Sequence, residues 1–189
     1  MADGVITGLN SNDSTGLSQY IKAVDNGDST SSMAVFPWVN QTVSITPTIS
    51  ATPDYVSTDG AGGIQTIAAA VGTSGRPVKL ESVVVVDKGG QAPAFTILLF
   101  KATPAGGTYT DNATLVLSAA DVGNLIGCVK VLNADYITPS SGIRMVTYSD
   151  IDAVLPVSAT SLYALLLVDA GWNAGSTTDV TITFGFQRG

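Results

Sequence analysis

Between Asp179 and Phe186 the chain alternates: Val180, Ile182, Phe184 and Phe186 are apolar, while Asp179, Thr181 and Thr183 are polar. A period of two gives a β-strand one buried and one wet face, and no helix can sort these residues that way. The same period recurs upstream. Val43, Ile45 and Ile49 alternate with Ser44, Thr46 and Thr48, and Pro47, which has no amide donor, puts that strand at a sheet edge. Further strands are read at Gly63–Ala68, Val78–Asp87, Ala94–Lys101, Cys128–Leu132, Ile143–Tyr148 and Leu162–Val168, separated by Gly, Pro, Asn and Ser turns.

About eight strands with almost no helix exclude parallel βαβ units. The chain is therefore expected to be all-β: a two-sheet antiparallel sandwich, with a jelly roll favoured by the strand count. An immunoglobulin-like sandwich ranks second, because the Cys…Trp…Cys spacing is missing. Four consecutive valines, Val83–Val86, and the run Leu98–Phe100 imply strands covered on both faces, by the chain itself or by a neighbour. One helical turn is expected after Ser118 and Asp121, with Val122, Leu125 and Ile126 on one face and Gly127 as its stop.

Residues 1–40 read differently from the sandwich domain, residues 41–189. Seventeen of the first forty are Gly, Ser, Thr or Asn, too polar a mixture to offset the entropy of ordering. They form an extended N-terminal arm, and two readings of it stay open. It is a disordered tail, or it orders on a partner through Val35, Phe36 and Trp38, the aromatic anchor that coupled folding and binding needs.

Chemistry is hard to place in this composition. With no histidine, the Ser-His-Asp and Cys-His arrangements and His-based zinc sites are excluded. With one cysteine, thiolate metal sites and internal disulfides are excluded as well, and Cys128, between Ile126, Val129 and Val131, reads as a buried small hydrophobe. Asp150 and Asp152 would share a face on a strand, at a spacing a glycosidase can use, but Ser149–Ala153 reads as a turn. The glycines Gly60–Gly63, Gly89–Gly90 and Gly106–Gly107 match no phosphate loop and are read as turns or bulges. No enzyme activity, cofactor or metal is expected.

Partners follow from charge. The net charge is -7, only 12% of residues are charged, and the 8 basic residues stand singly. Nucleic acid is not an expected partner, since phosphate neutralisation needs clustered Lys and Arg. No membrane is expected either, because Leu162–Val168 is too short an apolar run to cross one. The first residues carry neither a basic nor an apolar signal region, so synthesis in the cytoplasm is expected. Trp172, in the loop Asp169–Gly175, could stack on a sugar if exposed, but packing at the end of the sandwich or at a subunit contact outweighs that reading.

An ordered set of segments then carries a resemblance. It runs through Ser44–Ser50, Tyr55, Gly62–Ile67, Leu80–Lys88, Thr96–Phe100, Thr108–Ala113, Ala119–Gly127 and Leu162–Val168, with Thr110-Asp-Asn-Ala113 and Leu125-Ile-Gly127 its most specific pieces. In these the chain resembles the decoration (cement) proteins of tailed-bacteriophage capsids. The resemblance implies a virion protein on the capsid exterior, often a homotrimer, that bridges major capsid subunits and has no catalytic residues. The arm lies outside it. The alternative is a glycan- or receptor-binding module on a head fibre or tail appendage, with Trp172 as its contact.

Overall fold

The structure is a computed structural model, and it describes residues 39–71, 77–157 and 159–188. The arm residues Val35, Phe36 and Trp38 lie outside the described part. The strands in chain order are β1 (Val39–Ile45), β2 (Asp59–Ile67), β3 (Val78–Asp87), β4 (Phe95–Phe100) and β5 (Ala113–Thr114). After helix α1 (Ala119–Val122) come β6 (Leu125–Val131), β7 (Ile137–Ser140), β8 (Ile143–Tyr148), β9 (Ala153–Leu155), β10 (Leu162–Val168) and β11 (Val180–Arg188).

These strands form two antiparallel sheets, ordered β1-β11-β3-β8-β7 and β5-β2-β10-β4-β6, with β9 also beside β3. Leaving out the short strands β5, β7 and β9, eight remain. They pair first with last, second with seventh, third with sixth and fourth with fifth. That is one long antiparallel ribbon rolled into two facing sheets, the jelly roll expected from the strand count. β1 is an edge strand, but it ends at Ile45, so Pro47 lies beyond it and not inside it as the alternation up to Ile49 suggested.

The register explains which residues fill the core. On β11, Val180, Ile182, Phe184 and Phe186 lie opposite Asp87, Val85, Val83 and Leu80 of β3. These apolar side chains are all at most 1% exposed. Phe184 and Phe186 stack at 5.9 Å between centroids. From the second sheet Ile67, Phe95, Ile97, Leu99, Leu162, Ala164 and Leu166 meet them in the same core. Burying each larger side chain stabilises by roughly 1.5–3 kcal/mol.

The second sheet is also covered on its outer face. Leu98, Phe100 and Leu165 point away from the main core, yet they are 9%, 0% and 1% exposed. Tyr109, Leu115, Leu117 and Leu125 pack on them. The segment between β4 and β6 thus forms a third, thin layer, which accounts for the apolar run Leu98–Phe100. Of the four consecutive valines on β3, Val83 and Val85 are fully buried, and Val84 and Val86 are half-buried on the opposite face.

Three local readings differ from the sequence expectation. α1 is a single turn capped by the Ser118 hydroxyl, which accepts from the Asp121 amide at 3.1 Å. It ends at Gly123, and Leu125, Ile126 and Gly127 already belong to β6, where pairing with β4 replaces the helical face. β2 starts at Asp59, four residues before the expected Gly63, because the glycines form an irregular stretch inside it. Gly62 sits at φ 73° with Pro47 against it, so close that a side-chain Cβ would lie 2.5 Å from the Pro47 Cβ. Only glycine suits that position.

Cys128 is exposed, not buried. It lies opposite Leu98 on the outer face of edge strand β6, while Val129 and Val131 face the core opposite Ile97 and Phe95. In the sequence, Lys130 two residues on already marked that face as wet. The thiol of the native protein should therefore react with a chromogenic disulfide reagent as fast as that of the denatured chain. A reaction that waits for denaturant would put Cys128 inside.

Candidate functional site

The acidic side chains show what polar chemistry this chain carries. Asp87 ends β3 fully buried, and its carboxylate accepts the backbone N–H groups of Gly89 at 2.9 Å, Gln91 at 2.6 Å and Ala92 at 2.7 Å. It shapes the loop from β3 to β4. Asn133 donates to the Ala92 carbonyl at 2.7 Å and the Tyr136 hydroxyl to that of Pro93 at 3.1 Å, holding the same loop from outside. Burial, and then the Asp87 charge, push the Tyr136 phenol well above its ordinary pKa, so it stays a donor.

Asp121 organises the covering layer in the same way. Only 3% exposed, it accepts the Ala105 and Gly106 amides at 2.9 and 3.0 Å and the hydroxyls of Tyr109 and Ser118. The Ser118 hydroxyl, then Tyr109, hold this carboxyl far below the usual carboxylate range. Asp111 joins three further segments through the Tyr55 hydroxyl at 2.6 Å, the Ser50 hydroxyl and the Gly62 amide. Asp179 accepts the Ser176 amide at 2.8 Å, and Asp59 the Val56 amide at 2.9 Å. Each of these carboxylates is occupied by donors of its own chain, mostly backbone amides. Asp111 and Asp121 stand in the segments that carry the resemblance.

Asp150 and Asp152 do not share a strand face. Both lie in the β8–β9 connection at φ 56° and 54°, the left-handed conformation that Asp tolerates in turns. Asp152 bonds Lys79 at 2.8 Å, and Lys79 bonds Glu81 at 2.8 Å. Lys79 lowers the Asp152 pKa, and Asp152, then Glu81, raise that of Lys79. Among the described residues no group of three or more His, Cys, Asp or Glu could hold a metal ion. No described helix is long and apolar enough to cross a membrane.

Trp172 is 5% exposed. Its ring stacks on Tyr55 at 5.0 Å and 16°, and the two backbones exchange hydrogen bonds of 2.8 and 3.1 Å. The Tyr55 hydroxyl accepts the Ser50 amide at 2.7 Å while donating to Asp111. Burial, then Asp111, raise the Tyr55 pKa. The stack thus covers one face of the indole within the core. The indole borders a cleft of about 160 Å³ beside Gln91, Asn133 and Asn173, and its buried Nε1 has no hydrogen-bond partner among the described residues. Trp172 is a packed residue of this chain, buried against Tyr55.

Sequence reasoning named Asp150, Asp152 and Trp172 as the residues to weigh, and it missed Asp87, Asp111 and Tyr55. A signal for Asp87 exists in Asp87-x-Gly-Gly, the pattern of an aspartate capping its own turn. No local pattern shows what Asp111 holds together, because its partners lie 49 to 61 residues away.

No protein-family model matches the chain, and no curated protein does. Among solved structures, one of infectious bursal disease virus, Gx strain, aligns at 13% identity with a TM-score of 0.16. The alignment covers 91% of this chain and 42% of that one, so this chain spans less than half of that protein's length. At that TM-score the likeness carries no argument about fold or function.

Proposed function

We propose that this chain is a structural virion protein that binds the outer surface of a tailed-phage capsid and bridges and stabilises its major capsid subunits. The observation that carries the reading is the use of the carboxylates: Asp87, Asp111 and Asp121 are each filled by three or more donors of the chain itself. They serve to fix loops, which suits a rigid scaffold. The jelly roll is compatible with this but decides nothing, since capsid and lectin domains share it. The resemblance in the segments that hold Asp111 and Asp121 adds the capsid partner and the trimer. The host-glycan alternative is weakened, because the ring face of Trp172 lies against Tyr55.

Cementing works by mass action. A protein that binds the assembled shell but not its separated subunits stabilises the shell. Copies held around a symmetry axis raise one another's effective concentration, so modest contacts suffice. The test is light scattering for oligomeric state, followed by cosedimentation with undecorated capsids. The cement reading requires saturation at a fixed stoichiometry. Weaker attachment after deletion of residues 1–40 would give the arm a part in it, and equal occupancy would rule the arm out. Failure of the full chain to bind capsids would end the cement reading.

A further inference from the structure

The two sheets differ in what lies outside them. The second sheet carries its own covering layer, whereas nothing among the described residues packs across the outer face of the β1-β11-β3-β8-β7 sheet. The register sets two cross-strand rows on that face. In one, Ser44 meets Thr183 at 2.8 Å, Thr183 lies opposite Val84, and Val84 opposite Thr147. In the other, Thr46 faces Thr181, followed by Val86, Met145 and Ile137. Neither row contains an ionisable residue. Lys79, Glu81 and Asp152 stand at one end of the sheet, Lys88 and Arg144 at the other. Ile137 is 59% exposed, and Val84, Val86 and Met145 are half-buried.

We infer that this uncharged face is the surface by which the chain docks on a repeating protein lattice, an inference that rests on the capsid reading above. Two arguments select that occupant. In a chain of net charge -7, an area without ionisable groups fits a partner surface that is itself uncharged, and not a basic one. Five strands about 4.8 Å apart and about six residues at 3.3 Å each give a patch of roughly 500 Å². A stable pairwise interface needs about 800 Å² per partner, so this face alone holds a lone second copy poorly. Repeated on a lattice, with copies linked to one another, it holds well.

The experiment introduces one charge into the face, as Thr183→Arg and separately Met145→Arg, and another outside it, as Val122→Arg. Val122 is 55% exposed on α1. Circular dichroism and denaturation midpoints check that each variant folds. With undecorated capsids in cosedimentation, both face variants should bind at least about tenfold more weakly, the cost of one charge buried without a partner. Val122→Arg should bind like the parent, whose binding should change little between low and high salt. If the parent binds and the face variants bind equally well, the face assignment falls while the capsid reading stands. A parent that ignores capsids ends both. Loss of the parent's oligomer in the face variants, seen by light scattering, would give the face to a second copy and overturn the inference.

Discussion

Replacing Asp87 with alanine should lower the stability of the sandwich by about 4 kcal/mol, a large part of what a domain of this size has. Three backbone amides, those of Gly89, Gln91 and Ala92, lose their acceptor together, and the site is fully buried. A hydrogen bond to a charged group contributes about 1.5–3 kcal/mol net, and a buried amide left unpaired costs about 1–3 kcal/mol. The three are not additive, because water enters the loop once it loosens. Asp87→Asn should fall between parent and alanine, since an amide keeps one acceptor oxygen but turns its NH2 toward amides that also donate. The measurement is a urea denaturation series at neutral pH. A loss below about 1 kcal/mol for the alanine variant would mean that Asn133 and Tyr136 hold the loop without the carboxylate.

The contrast between Asp87 and the strands it follows shows what was legible in the sequence. Val78–Asp87 and Val180–Arg188 announce themselves because a β-strand's periodicity is local: each residue's face is set by its neighbour. Eight such segments without helices leave few ways to roll up, and the jelly roll follows. Cys128 was misread for want of the same rule, since it shares a face with Lys130, not with Val129. The helix at Ser118 was half legible: its cap is a local motif, but its length was decided by the pairing of Leu125 with Phe100. The loop frame was not legible at all at Asp111, because Ser50, Tyr55 and Gly62 reach it only once β2 and the covering layer are in place. Asx turns show in sequence; carboxylates that tie distant loops do not.

Trp172→Ala should cost about 3–5 kcal/mol, as large aromatic truncations in well-packed sites do. The indole fills the end of the core against Tyr55, and alanine leaves a cavity whose walls are fixed by the backbone pairing of residues 55 and 172. Trp172→Phe separates packing from polarity. Nε1 has no hydrogen-bond partner among the described residues and phenylalanine keeps a ring on Tyr55, so a loss of only about 1–2 kcal/mol is expected. Tyr55→Phe is the converse. It keeps the stack but removes the hydroxyl that joins the Ser50 amide to Asp111, for about 1–3 kcal/mol. A double-mutant cycle of Tyr55→Ala with Trp172→Ala should show a coupling of about 0.5–1.5 kcal/mol beyond area burial. If Trp172→Ala instead leaves the denaturation midpoint unchanged, the tryptophan does not close the sandwich. A partner contact at its ring, and with it the glycan-binding alternative, would then regain its footing. If all three variants follow the expected order, Trp172 belongs to the scaffold, and any contact with a partner has to be made by other residues.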